Sequence, residues 1–260
     1  MSQVILMAHG SGGQMSHELI HDLFLRYFDN RVLADLGDAG CVEDARLHGG
    51  RLALTTDSYV VKPLFFPGGD VGKLAVCGTV NDLAVAGAQP LYLTAGFILE
   101  EGLPLETLER VVRSMAETAR LAGVQIVAGD TKVVERGAAD GLFINTAGVG
   151  ALLTPEPLTP RRLRAGDILL INGPIGDHGL AIMLQREGLT FHSDLVSDCA
   201  PLNGLLAALL DALGDDVRCM RDPTRGGLAT TLNEWAGCGV GIEVDEEAVP
   251  VRPAARAACE

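Results

Sequence analysis

Residues 55–88 read TTDSYVVKPLFFPGGDVGKLAVCGTVNDLAVAGA, and the rest of the chain is organised around them. Residues 52–56 form a strand that Asp57 closes, and the Pro/Gly-rich loop FFPGGD follows. Residues 72–86 then read as an apolar helix with a polar pair, Asn81-Asp82, in its interior. A carboxylate among Val76, Cys77, Val80, Leu83 and Val85 is costly to bury unless a positive group meets it. A divalent metal ion is the obvious partner.

The 260 residues suit one large domain or two modest ones. They are 48% hydrophobic but only 4% aromatic, with 32 glycines, which suggests a mixed α/β enzyme with many tight turns. A formal net charge of −14 argues against nucleic acid or an anionic membrane as partner. An acidic protein that handles an anionic substrate needs bridging metal ions. Six scattered cysteines without a CxxC read as reduced thiols of a cytosolic protein. The N-terminal MSQVILMAHGSGG lacks the basic flank and length of a signal peptide, and no apolar run approaches a membrane span. A soluble, cytoplasmic protein is expected.

Residues 3–8 form a short strand ahead of the glycine-rich loop His9-Gly10-Ser11-Gly12-Gly13, and residues 14–28 have the spacing of an amphipathic helix. A weak strand lies at 42–45, and a further strand spans 90–99. Pro104 opens a helix that Gly123 ends. Residues 124–128 then form a buried strand delivering Gly129-Asp130-Thr131-Lys132, and 142–152 another strand. Strands and helices thus share one sheet. The Pro-rich segment 154–167 is the expected boundary. Beyond it, strands are expected at 168–171, 217–220 and from 242, and helices at 180–186, 201–213 and through Trp235.

His17-Glu18-Leu19-Ile20-His21 matches the HExxH zinc-peptidase pattern. Phe24 stands where the longer pattern needs glycine and no third ligand follows, so these residues read as a solvated helix face. HGSGG reads equally as a phosphate cradle at a helix N-terminus or as a flexible N-terminal turn, since it lacks the Lys-Ser/Thr ending of a P-loop. The stronger signal is a set of carboxylates at element ends: Asp44, Asp57, Asp130 and Asp222, with Asp82 inside its helix. Magnesium takes oxygen ligands and bridges a few carboxylates to nucleotide phosphates. Any one aspartate alone is better explained as a cap or turn residue than as a ligand, Asp82 least so. Lys132 and Arg225 either neutralise phosphate or form surface ion pairs.

Taken in order, AHGSGGQ, the 55–88 stretch, GFILEEGLP, VAGDTKVVERG, FINTAGVG, GDHG, LVSDCA and RDPTRGG resemble the HypE family of hydrogenase maturation proteins. Its superfamily includes aminoimidazole ribonucleotide synthetase, selenophosphate synthetase and thiamine-monophosphate kinase. The resemblance implies an α+β fold of mixed α/β layers, synthetase-like and two-domain, with the N-terminal sheet forming a homodimer interface. It divides the chain into a flap and helix (1–40), an ATP- and magnesium-binding dimerisation domain (41–153), a linker (154–166) and an incomplete second domain (167–260).

It implies ATP and Mg2+ as cofactors, a HypF-like carbamoyltransferase and a HypC–HypD-like complex as partners, and neither nucleic acid nor membrane. The implied reaction is ATP-dependent dehydration of a thiocarboxamide on a C-terminal cysteine to a thiocyanate, the source of cyanide ligands. The alternatives are another kinase or synthetase activity of the superfamily, or a non-catalytic HypF-binding module.

By the same resemblance Asp44, Asp57, Asp82 and Asp222 are metal-binding, Lys132 is the phosphate-side cation, and Asp82, Lys132 and His178 are catalytic. Asp130, Thr131, Asn145, Thr224 and Arg225 line the nucleotide, and HGSGG is a flap. Family members continue to a terminal cysteine tail, whereas this sequence stops at Ala258-Cys259-Glu260. Cys259 therefore reads as an ordinary thiol, and apolar surface around Ile242 and Val244 is expected to lie uncovered.

Overall fold

The structure, a computed structural model, describes residues 13–25, 27, 34–43, 50–188 and 195–259. Its strands are β1 Gly40–Glu43, β2 Arg51–Tyr59, β3 Phe65–Phe66, β4 Gly69–Asp70, β5 Ala88–Glu100, β6 Gln125–Val134 and β7 Leu142–Leu152. Its helices are α1 Gln14–Leu19, α2 Val71–Val85, α3 Leu105–Ala122, α4 Asp177–Arg186, α5 Asn203–Leu213, α6 Gly227–Ala236 and α7 Pro253–Cys259. A π-helical segment, Ile20–Leu25, continues α1. Asp44 and residues 9–12 of the HGSGG loop lie outside the described residues.

One sheet has the order β1-β2-β7-β5-β6, and β3 and β4 form a separate hairpin. The β1–β2, β2–β7 and β7–β5 pairs are antiparallel; β5 and β6 are parallel, with α3 as the crossover that a parallel pair requires. Both covering helices begin and end where local chemistry directs. The Asp70 carboxylate caps α2, accepting from the N–H groups of Gly72 at 2.7 Å and Lys73 at 3.0 Å. Pro104 precedes α3, and Gly123 ends it in the left-handed conformation at φ 72°.

α2 and α3 cover one face of the sheet. There Val71, Val76, Val80, Val111, Met115, Leu93, Leu142 and Ile144 make one core. A Cβ at Gly72 would stand 2.4 Å from the Val111 carbonyl oxygen, so α2 crosses α3 backbone against backbone.

Alternation sends Ala53, Thr55, Asp57 and Tyr59 of β2 toward α2, and Leu54, Thr56 and Ser58 to the opposite, open face. Asn145, Gly96 and Asp130 are register partners along one row of that open face, next to Ser58. Lys132 pairs with Ile98 two residues further on.

Two expectations are corrected. The run at 124–128 belongs to an edge strand, and β6 is exposed over nearly its whole length, because β5 is its sheet neighbour on one side only. The apolar runs at 168–171, 217–220 and 242–244 form no ladder among the described residues. A strand exists through hydrogen-bonded neighbours, and without them Ile168 is 83% and Leu170 79% exposed. Val244 is likewise exposed, as expected, and Ile242 is partly covered. No helix among the described residues is long and apolar enough to cross a membrane.

Candidate functional site

Asp82 lies at the centre of the site. α2 buries it to 8% exposure, and its Oδ2 stands 2.7 Å from the Thr55 hydroxyl of β2. That hydroxyl also lies 3.0 Å from the Asp38 carbonyl oxygen. One hydroxyl carries one proton, so it cannot donate to both oxygens at once. A protonated Asp82 resolves the conflict by donating to Thr55, which donates to Asp38. The electrostatics agree: burial, then the neighbouring Asp222 carboxylate, pushes the Asp82 carboxyl up to about 9.

Asp222, in the turn before α6, is raised to about 7 by burial and then by Asp38 and Asp57. Asp38 is raised to about 6 by burial, against the pull of Arg221, whose Nε lies 2.8 Å from Asp38 Oδ1. Burial also raises Asp57, while the Tyr59 hydroxyl, donating at 3.1 Å, and Arg225 lower it. Four carboxylates from four segments therefore share one electrostatic neighbourhood.

Buried polar bonds hold the array. Tyr59 reaches Thr79 of α2 at 3.4 Å, Thr79 bonds to Thr146 of β7, and Thr146 donates to the Ala75 carbonyl at 3.0 Å. Gly78 makes room, since a Cβ there would lie 2.3 Å from the Tyr59 hydroxyl. On the outer side Arg221 joins Glu234 at 3.3 Å, and Glu234 meets His17 Nε2 at 3.5 Å. The first histidine of the HExxH pattern thus faces α6.

Among the described residues no three carboxylate, histidine or cysteine side chains lie close enough to share one ion. Magnesium does not need three, because it commonly takes one or two carboxylates and completes its shell with phosphate oxygens and water. Crowded carboxylates that hold protons near neutral pH fit such a cation, which would displace those protons.

The other site residues separate from this cluster. Asn145 stands on the open face, its Nδ2 donating to the Asp57 carbonyl at 2.9 Å and to Ser58 Oγ at 3.1 Å. Gly96 beside it carries no side chain, leaving a gap in the row before Asp130. Lys132 pairs with Asp130 at 3.0 Å, both well exposed, and Thr131 lies between them. Thr224 is exposed in its turn and Arg225 faces Asp57. His178 packs edge-on to Phe66 at 5.5 Å, with Nδ1 2.8 Å from Ser197 Oγ; burial lowers its pKa, so its ring is neutral.

Asp38, Thr55, Tyr59, Arg221 and Glu234 were not singled out in the sequence. Thr55 and Tyr59 alone carried a usable signal, each sharing its strand face with Asp57.

A model of the AIR synthase related protein N-terminal domain matches residues 36–152, and one of the corresponding C-terminal domain matches residues 164–258. The carbamoyl dehydratase HypE of Escherichia coli (strain K12) is 56% identical over 259 residues, covering 98% of this chain and 76% of that protein. A crystal structure of a HypE–HypF complex superposes with a TM-score of 0.86 at 52% identity, over 93% of this chain and 77% of that one. A crystal structure of hydrogenase maturation protein HypE in complex with ATP gives a TM-score of 0.79 at 55% identity, over 98% of this chain and 75% of that one. Fold and site define a protein of the AIR synthase related class. Within that class, this chain belongs to the HypE family of carbamoyl dehydratases, which act in hydrogenase maturation.

Proposed function

We propose that this chain performs the HypE reaction, using ATP to dehydrate a thiocarboxamide on a cysteine thiol to a thiocyanate for the cyanide ligands of a nickel–iron hydrogenase. The observation that carries the site is the convergence of Asp38, Asp57, Asp82 and Asp222 beside Thr55, with carboxyls raised toward or above neutral pH. Asp57, Asp82 and Asp222 would hold Mg2+, one or two carboxylates to an ion with phosphate oxygens and water completing the shell, and Asp38 stands beside them; Asp44 keeps its proposed place among the metal-binding aspartates. The metal supplies charge neutralisation for the transferring phosphoryl group.

The rest falls to the chain's own residues. An amide oxygen leaves poorly, and phosphorylating it makes phosphate the leaving species. Thr55 and Tyr59 orient the carboxylates and Arg225 offsets their charge. Lys132, exposed on the open face apart from this cluster, would offer its ammonium to phosphate oxygens there. Asn145 and Asp130 would line the nucleotide along the open face, while Thr131, the register partner of Phe97, turns to the other side of β6. His178, neutral and oriented by Ser197, would face the substrate as a proton carrier.

A HypF-like carbamoyltransferase is the proposed donor, a HypC–HypD-like complex the acceptor, and the cytoplasm the location. Two domains joined at 154–166 and a homodimer through the open face complete the reading.

Calorimetric titration with ATP tests the site. Binding should require Mg2+ and be lost in Asp82→Asn, and Lys132→Ala should weaken it roughly tenfold or more, as for a charge-assisted phosphate contact. Equal affinity with a chelator present, or in Asp82→Asn, would overturn the assignment. For the reaction, ATP should remove one water from a carbamoylated cysteine, and Asp82→Ala should abolish that loss.

A further inference from the structure

α2 carries a second functional group on its side facing residues 195–202. Cys77 is 2% exposed there, and the half-buried Cys199 is the neighbour that perturbs its thiol most. Backbone anchors on both sides fix this approach. Asn81, one turn after Cys77, accepts the Leu202 N–H at 2.8 Å and donates to the Ala200 carbonyl at 3.1 Å. Before Cys199, the Ser197 N–H donates to the Pro67 carbonyl at 2.8 Å, and Ser197 Oγ accepts the Cys199 N–H at 3.2 Å. Lys73, one turn before Cys77, brings an ammonium near the pair and is itself held by the Gly68 carbonyl at 2.8 Å.

The two thiols are unequal. The neighbouring Cys77 thiol, with Lys73, holds the Cys199 thiol below its ordinary range, against the effect of burial. Cys199 is also the more exposed residue of the two. The other can be reached only from within.

We infer that Cys77 and Cys199 form a redox-active dithiol, which a small disulfide of the oxidised-glutathione class converts to a disulfide joining α2 to the second half of the chain. Cys199, as thiolate, attacks one sulfur of the small disulfide and releases its first thiol, leaving a mixed disulfide. Cys77 then loses its proton and attacks Cys199 Sγ, expelling the second thiol. Two electrons pass from the protein sulfurs to the small disulfide, and two protons end on the released thiols. The new bond closes a long loop and ties the helix bearing Asp82 to the segment leading into α5.

The test is to incubate the whole reduced chain with oxidised glutathione, alkylate the remaining thiols and map the peptides. A Cys77–Cys199 linked peptide, a mass lower by two hydrogens, reversal by dithiothreitol and a higher thermal midpoint are expected. Cys77→Ser should trap the glutathione adduct on Cys199, whereas Cys199→Ser should leave Cys77 unmodified. Recovery of Cys77 and Cys199 as alkylated thiols after oxidation would overturn the inference. So would bridging confined to Cys219 and Cys238, which also lie near each other. Mapping of the unmodified chain decides the matter if either variant fails to fold.

Discussion

Asp82 holds a proton near neutral pH because burial and Asp222 raise its carboxyl to about 9, well above an unfolded value near 3.8. A carboxyl raised in the folded state stabilises it fully below the unfolded pKa, and this contribution is lost as pH rises through the folded value. Asp38 at about 6 and Asp222 at about 7 act in the same direction. The chelator-treated protein should therefore lose stability as pH rises from about 5 to 9, by about 1.4 kcal/mol per unit for each proton carried. Asp82→Asn should flatten the upper part of that slope, and Mg2+ should flatten all of it. Thermal midpoints across pH measure both, and an unchanged slope in the variant contradicts the assignment. Gly78→Ala should drive the Tyr59 hydroxyl off α2, costing about 1–3 kcal/mol in a denaturant melt, since the new Cβ has nowhere to go. Asp82 was legible in sequence because a carboxylate breaks an otherwise apolar helix. Asp38 was not: its nearness to Asp82 arises from the β1–β2 pairing, which sets Gly40 opposite Leu54.

At the scale of elements, α2 is the hub, packed on the sheet, on α3 and on α5. Its tie to residues 195–202 passes through the Asn81 amide, with one bond in each direction. Asn81→Ala leaves the Leu202 N–H and the Ala200 carbonyl without partners and should cost about 1–3 kcal/mol. Hydrogen exchange at Leu202 should speed up while the core amides of β7 keep their protection; unchanged exchange at Leu202 would argue against the clamp. The ends of α3 were readable because proline and glycine act locally. β6 was expected to be buried because Val124, Ile126 and Val127 form an apolar run, yet an edge position leaves Val127 57% exposed. Composition carries no information about how many neighbours a strand finds.

At the scale of the molecule, the sheet keeps one face without helices among the described residues, and Leu54, Tyr92 and Ile98 are exposed there beside the polar row of Ser58, Asn145 and Asp130. The proposed second copy docked on this face would account for apolar exposure so near the proposed nucleotide residues. Sedimentation should show a dimer that Ile98→Lys converts to monomer; a monomeric unmodified chain would refute that reading. Sequence alone was enough for the ends of α3, the alternation of the sheet and the family, and it singled out the aspartates at 57, 82 and 222, because these depend on local chemistry or on long runs of matched residues. Tertiary structure decided that Asp38, Thr55 and Tyr59 complete the carboxylate cluster, that Asn145, Asp130 and Lys132 lie on the other face, and that Cys199 meets Cys77. Those facts depend on strand register, on which face a period-two alternation selects, and on contacts between residues more than a hundred positions apart, as at Asn81 and Ala200.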